Sequence, residues 1–208
     1  MNFEELVFVD LETSGLDPEQ HDIIQLSAKD VMSGDTLDLL LNFKLSNASK
    51  EALRINNYDE ERWAEKAISQ RRGYVEFHSF LSKHAKQQRR NRKTGELYNI
   101  AVLIGHNLEA FDMRFLKNWE ARMKGLIAGR LPMDYACYDT LQLARWLLPD
   151  KLEGYRLDDL ISYFNIDIKR KSHDAQNDVE ANIQVAAKLI DMLPCQNPLW
   201  VSEVLAPF

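Results

Sequence analysis

Five consecutive apolar residues, Ile100 to Ile104, run straight into Gly105-His106-Asn107 and then into a segment where Phe111, Phe115, Trp119 and Met123 recur every four residues. The apolar run reads as a short buried strand, the tripeptide as a turn, and the period of four as one face of a helix from Leu108 to about Met123. Strand, turn, helix in that order commits the chain to an α/β architecture. Leu6 to Asp10 reads as a buried first strand, closed by the turn signal Thr13-Ser14-Gly15. The alternation in Ile24 to Lys29, the turn Ser33-Gly34-Asp35 and the resumption from Thr36 to Phe43 predict an antiparallel hairpin beside it.

Helical spacing follows from Asp59 to about Gln88, with Trp63, Ala67, Val75, Phe77, Phe80 and Leu81 as the expected buried side and Gly73 as the expected break into two helices. Further helices are expected after Asp139-Thr140, over Leu157 to Phe164, and from Ser172, as N-cap, to Leu193. At 208 residues the chain makes one generous domain, placed at 1–193, with a tail at 194–208 that holds three of its prolines. Between Lys83 and Lys93, six of eleven residues are basic and none is acidic, which marks an insert at about 83–95 as a candidate loop for tracking phosphates.

Composition removes several function classes. Hydrophobic residues at 45% and charged residues at 28% exclude a disordered or fibrous chain. Two cysteines, Cys137 and Cys195, build neither a disulfide framework nor a zinc cluster. The acidic start and the want of an apolar run near ~18 residues predict a cytoplasmic protein with no membrane contact. A net charge of −6 argues against a nucleic-acid partner unless bound cations alter the local balance.

Three clusters carry chemistry. Asp10 and Glu12 are two apart at a strand end, so their side chains leave one face about 6 to 7 Å apart. Like charges that close are either hydrated at a solvent edge or held by cations. Asp112 opens a helix, where the positive end of the dipole alone would account for an acid. His173 and Asp178 are five residues, or ~140°, apart, so the histidine hangs from the loop ahead of the helix that carries the aspartate. A polar capping cluster explains that pair equally well. For His106 a satisfied turn residue, for Phe111 a core residue and for Asp139 an N-cap are the expected roles.

Taken together and in order, Phe8-Val9-Asp10-Leu11-Glu12-Thr13-Ser14-Gly15-Leu16, Gly105-His106-Asn107 to Phe111-Asp112, and His173-Asp174-Ala175 to Asp178 resemble the motifs of the DnaQ-like 3′–5′ exonucleases of the DEDDh branch. The resemblance runs from about Val7 to Leu193. It implies a ribonuclease-H-like α/β fold, a mixed central sheet flanked by helices, and hydrolysis of phosphodiester bonds at nucleic-acid 3′ ends to release nucleoside 5′-monophosphates. It also implies two Mg²⁺ or Mn²⁺ ions on Asp10, Glu12, Asp112 and Asp178, a choice that suits all-oxygen ligation. His173 would be the general base. Thr13, Gly15 and Leu16 would receive the terminal sugar and base, and Asn107 would steady the strand.

Lys169, Arg170 and Lys171, beside the catalytic loop, are expected to touch substrate. That substrate is expected to be single-stranded with a free 3′ end, DNA slightly ahead of RNA, and a polymerase or a second copy of the chain is a candidate partner. The competing functions are an exoribonuclease or oligonucleotide-trimming enzyme, and a weakly catalytic nucleic-acid-binding or polymerase-associated adaptor.

Overall fold

The structure, a computed structural model, describes residues 5–125, 129–168 and 173–193. Its centre is a five-stranded sheet built from β1 (Val7–Thr13), β2 (Ile23–Asp30), β3 (Thr36–Leu40), β6 (Leu103–Gly105) and β7 (Tyr138–Asp139) in the order β3-β2-β1-β6-β7. The first three strands are antiparallel neighbours, whereas β6 joins β1, and β7 joins β6, in parallel. This is the mixed central sheet that the motif resemblance implied. β1 is longer than the sequence suggested and includes Glu12 as well as Asp10. Its pairing with β6 stops at Phe8↔Ile104, although β1 itself runs on to Thr13.

Both faces of β1 are buried, as expected of a strand covered by helices on each side. Val7, Val9 and Leu11 face a core with Phe77 and Leu81 of α3 (Gln70–Lys83) and Phe115 and Trp119 of α4 (Asp112–Met123). Phe8 and Ile104 face the other way, against Val179 and Ala186 of α7 (Ala175–Asp191). Burying Phe8 completely contributes about 2–3 kcal/mol. The same period of two places Asp10 and Glu12 beyond Phe8 on the α7 side, one step closer to that helix's N-terminus each time.

The remaining helices are α1 (Lys50–Ile55), α2 (Glu60–Lys66), α5 (Thr140–Leu147) and α6 (Leu157–Tyr163). Gly73 does not break a helix. It lies inside α3, where a Cβ would come within 2.3 Å of Leu41 Cδ2, so its bareness serves close packing of helix on sheet. The break falls instead at Ala67–Ser69, where Ser69 caps α3 by accepting the Arg72 N–H. Val75 is exposed and Tyr74 takes the buried place.

The helix at Leu108 begins only at Asp112, and α7 is capped by Asp174, which accepts the Asn177 N–H. The basic block is not a single loop: Lys83 ends α3, and Arg89 to Lys93 run from β4 (Gln87–Arg90) into the turn that leads to its hairpin partner β5 (Leu97–Ile100). No helix among the described residues is long and apolar enough to cross a membrane. The tail 194–208 lies outside the described residues.

Candidate active site

Where β6 stops and β1 continues, a cleft of about 820 Å³ opens beyond the C-terminal ends of the parallel strands, the usual place for a ligand in α/β sheets. Asp10, Asp178, His173, Asn107, Leu16 and Phe111 line it. Glu12, buried beside them, brings a carboxylate oxygen into a group with one of Asp178 and a ring nitrogen of His173, all within 4.8 Å of one another. Asp112 is buried at the start of α4, and its Oδ1 accepts the Leu11 N–H at 3.1 Å. One bond thus ties that helix to the strand that carries the first two acids.

Burial pushes the Glu12 carboxyl up to about 8, and the charges of Asp112 and Asp174 push it the same way. Asp112 is likewise raised well above the ordinary carboxylate range, by its own burial first and by Asp139 besides, against the bond from Leu11. Neither Glu12 nor Asp112 forms an ion pair among the described residues. Crowded, dry carboxylates of this kind suit hard divalent cations, so the donor set fits Mg²⁺ or Mn²⁺. The group within 4.8 Å is not all oxygen, however, since the His173 imidazole adds a nitrogen.

His173 sits in the left-handed region at φ 58°, and its N–H donates to Asp178 Oδ2 at 3.2 Å. Its carbonyl accepts from Asn57 Nδ2 at 3.1 Å, and Asp174 next to it lies 3.6 Å from Arg62 of α2. The corner between α1 and α2 therefore holds the histidine loop from outside. Neighbouring Asn56 donates from Nδ2 to the Thr13 carbonyl at 2.7 Å and anchors the same corner to β1.

The turn after β1 is equally well tied. Thr13 Oγ1 donates to the Gly15 carbonyl at 2.8 Å, and Ser14 exchanges two bonds with Asp22, each 2.9 Å. A Cβ on Gly15 would fall 2.2 Å from the His21 ring, so only glycine fits. Thr13 and Gly15 shape the turn, and Leu16 is 77% exposed and lines the cleft beside it. Lys169, Arg170 and Lys171 lie outside the described residues.

The residues expected to be structural are so placed. Asp139 caps α5 through the Leu141 N–H and also accepts from the N–H groups of Asn107 and Glu109. His106 bonds Thr140 Oγ1 through Nδ1 and the Tyr155 carbonyl through Nε2, and burial pushes its imidazole below the usual histidine value. Phe111 is both: it packs on the core and lines the cleft. Sequence reasoning missed Ile55, Arg145, Tyr155, Arg156 and Asp158, which also line the cleft. Arg145 and Arg156 sit in or beside helices with no motif around them, and only the folded arrangement brings them to the cleft.

A model of an exonuclease family, RNase_T, matches residues 75–186. The match takes in Asp112, His173 and Asp178, while Asp10 and Glu12 precede it. The chain is similar to the DNA polymerase III PolC-type protein of Thermotoga petrophila, 26% identical over 98% of this chain and 13% of that protein. It is also similar to that of Halalkalibacterium halodurans, 31% identical over 85% and 11%. It therefore spans 11 to 13% of the length of these relatives.

Among solved structures, Escherichia coli exonuclease I in complex with a dA16 oligonucleotide superposes with a TM-score of 0.68, at 18% identity, over 91% of this chain and 41% of the other. Exonuclease I from Methylocaldum szegediense does so at 0.65, with 22% identity over 94% and 42%. These likenesses are likenesses of fold.

Proposed function

This chain belongs to the RNase_T exonuclease family; from that premise we propose that it is a DnaQ-like 3′–5′ exonuclease that trims single-stranded DNA from the 3′ end, releasing nucleoside 5′-monophosphates. The observation that carries the reading is the convergence of Glu12, His173 and Asp178 within 4.8 Å, at a cleft lined also by Asp10. A DNA substrate is supported by the relatives, which are DNA polymerase III proteins, and by the oligonucleotide in the exonuclease I complex.

Asp10, Glu12, Asp112 and Asp178 would hold two Mg²⁺ or Mn²⁺ ions, which when bound supply charge neutralisation to the attacking and leaving oxygens. The chain's own residues do the rest. Leu16 and Phe111, facing the cleft from two sides, hold the terminal base by apolar contact, with Ile55 beside them. Arg145 and Arg156 offer guanidinium donors to the phosphate on its 5′ side. His173 takes the proton of the attacking water on a ring nitrogen, and its loop, fixed by Asp178 Oδ2 and Asn57 Nδ2, keeps that nitrogen beside the acids. With Asp178 Oδ2 accepting the His173 backbone N–H at 3.2 Å, the backbone that carries the base is tied to the acid.

A time course on single-stranded DNA labelled at either end, with Mn²⁺ and with chelator, tests the reading. Stepwise release of mononucleotide from the 3′ end, abolished by chelator, is expected. Internal cuts or release from the 5′ end would contradict it, and faster digestion of a matched RNA would move the substrate to RNA. His173→Ala is expected to slow release about 10²-fold with strand affinity retained.

A further inference from the structure

A second cleft, of about 810 Å³, lies at the other end of the sheet, between the β4–β5 hairpin and the 130–135 segment. Arg89, Arg90, Arg92 and Arg130 line it with Tyr98 and Tyr135, against Asp134 as the one acid in its lining. In a chain of net charge −6 this is a marked local reversal of sign. Part of the charge is used internally: Arg89 pairs with Asp134 at 3.3 Å and Arg130 with Glu120 at 3.1 Å. Lys83 and Lys86, from the same basic block, are taken by Asp35 and Asp30.

Arg90, Arg92 and Lys93 are exposed and form no ion pair among the described residues, although Arg90 gives one N–H to the Gly95 carbonyl. Inward bonds hold the ribbon in place, Gln87 to Glu5 at 2.8 Å and Arg89 to Asp134, which a lone two-stranded hairpin requires. Tyr98, opposite Arg89 in the register, is 49% exposed, so an open ring stands beside a guanidinium. Rings for bases and guanidinium groups for phosphates are the two components of a single-strand binding face.

We propose that this hairpin cleft is a second site for the substrate strand, taking phosphodiester backbone several nucleotides upstream of the 3′ end. The proposal rests on the reading of the substrate as a polynucleotide. The register sets its reach: Ile100 precedes Leu103, the partner of Val7, by three residues, and Glu12 follows Val7 by five. Eight residues of extended chain span at most about 26 Å, or about 8 nucleotides at a stacked rise of ~3.4 Å. A strand shorter than that engages the acids alone, whereas a longer one is held at two points and gains effective concentration at the 3′ end.

The test is the dissociation constant of full-length protein for a strand of about 20 nucleotides and for a trinucleotide, by fluorescence anisotropy in chelator. Arg90→Glu/Arg92→Glu/Lys93→Glu is expected to weaken the long strand about tenfold or more relative to the trinucleotide. It should also flatten the dependence of log Kd on log salt by about 2. If that variant is misfolded by circular dichroism, Arg92→Gln/Lys93→Gln on the turn should flatten the slope by about 1.

An unchanged long-strand constant in a folded variant overturns the proposal. So does displacement of the strand by polyglutamate as readily as by DNA, which would assign the face to an acidic polypeptide. Failure of wild-type protein to release mononucleotide would count against the exonuclease reading instead, because the binding measurement needs no turnover.

Discussion

The two ends of the central sheet each bury carboxylates, and they treat them in opposite ways. At the N-terminal end of β1, Asp30 is buried with Lys86 Nζ at 2.5 Å and His84 Nδ1 at 3.4 Å, and Ser33 donates its N–H. Burial pushes Asp30 up, but the bonds from Lys86 and Ser33 outweigh it and hold the carboxyl below its ordinary value. At the C-terminal end Glu12 and Asp112 have no such partner among the described residues, and both are pushed up. A protein able to neutralise buried acids with lysine in one place has left them crowded in another. The difference separates charge used to hold the fold from charge kept for a ligand.

Breaking the ligand end should have the largest effect. Asp10→Ala or Asp178→Ala is expected to cut metal-dependent mononucleotide release on the order of 10³-fold or more, with the circular dichroism spectrum retained. Breaking the structural end should cost stability instead. Lys86→Ala strands a buried carboxylate and is expected to lower unfolding free energy by about 3 kcal/mol in urea, with activity per folded molecule unchanged.

The sign of the pH dependence follows from the depressed Asp30. Its contribution is fully present above the unfolded carboxylate value of 3.8 and is lost as pH falls through the lower folded value. Wild type should therefore lose stability below about pH 4 more steeply than the Lys86 variant does.

A sharper contrast comes from removing a charge at the ligand end. Asp112→Asn keeps an acceptor for the Leu11 N–H while relieving repulsion, and should raise metal-free stability by about 1–2 kcal/mol. The melting temperature that wild type gains on adding Mn²⁺ should be largely absent in that variant. The smallest effect is expected from Asn57→Gly, which removes the side-chain bond to the His173 carbonyl while suiting the left-handed backbone at φ 52°. Turnover should fall about fivefold, with stability and metal affinity close to wild type.

Much of this arrangement could be read from residue spacing, because strand and helix periods are local. The alternation around Asp10 and Glu12 placed them on one face, and the five-residue interval put His173 on a loop before Asp178. The N-cap at Asp139 and the bonded ring of His106 were legible as turn chemistry.

Elements with weak local signals were not. Helix α1 is six residues long and buries none of them, so it has no apolar stripe to find. The hairpin strand Gln87-Gln88-Arg89-Arg90 alternates in burial but not in polarity. Gly73 looked like a helix breaker because its reason, the Leu41 side chain, lies just past β3, more than thirty residues earlier. Asn57, Arg145 and Arg156 acquire meaning only from what the fold sets beside them.

The early end of pairing between β1 and β6 has a further consequence. The opening that receives a ligand is made by where two backbones part, so the side chains around it furnish the room without building it. Leu16 and Ile55, exposed beside it, are in that sense interchangeable panels on a fixed frame. Exchanging them offers an engineer a way to reshape the opening while the four acids stay in place.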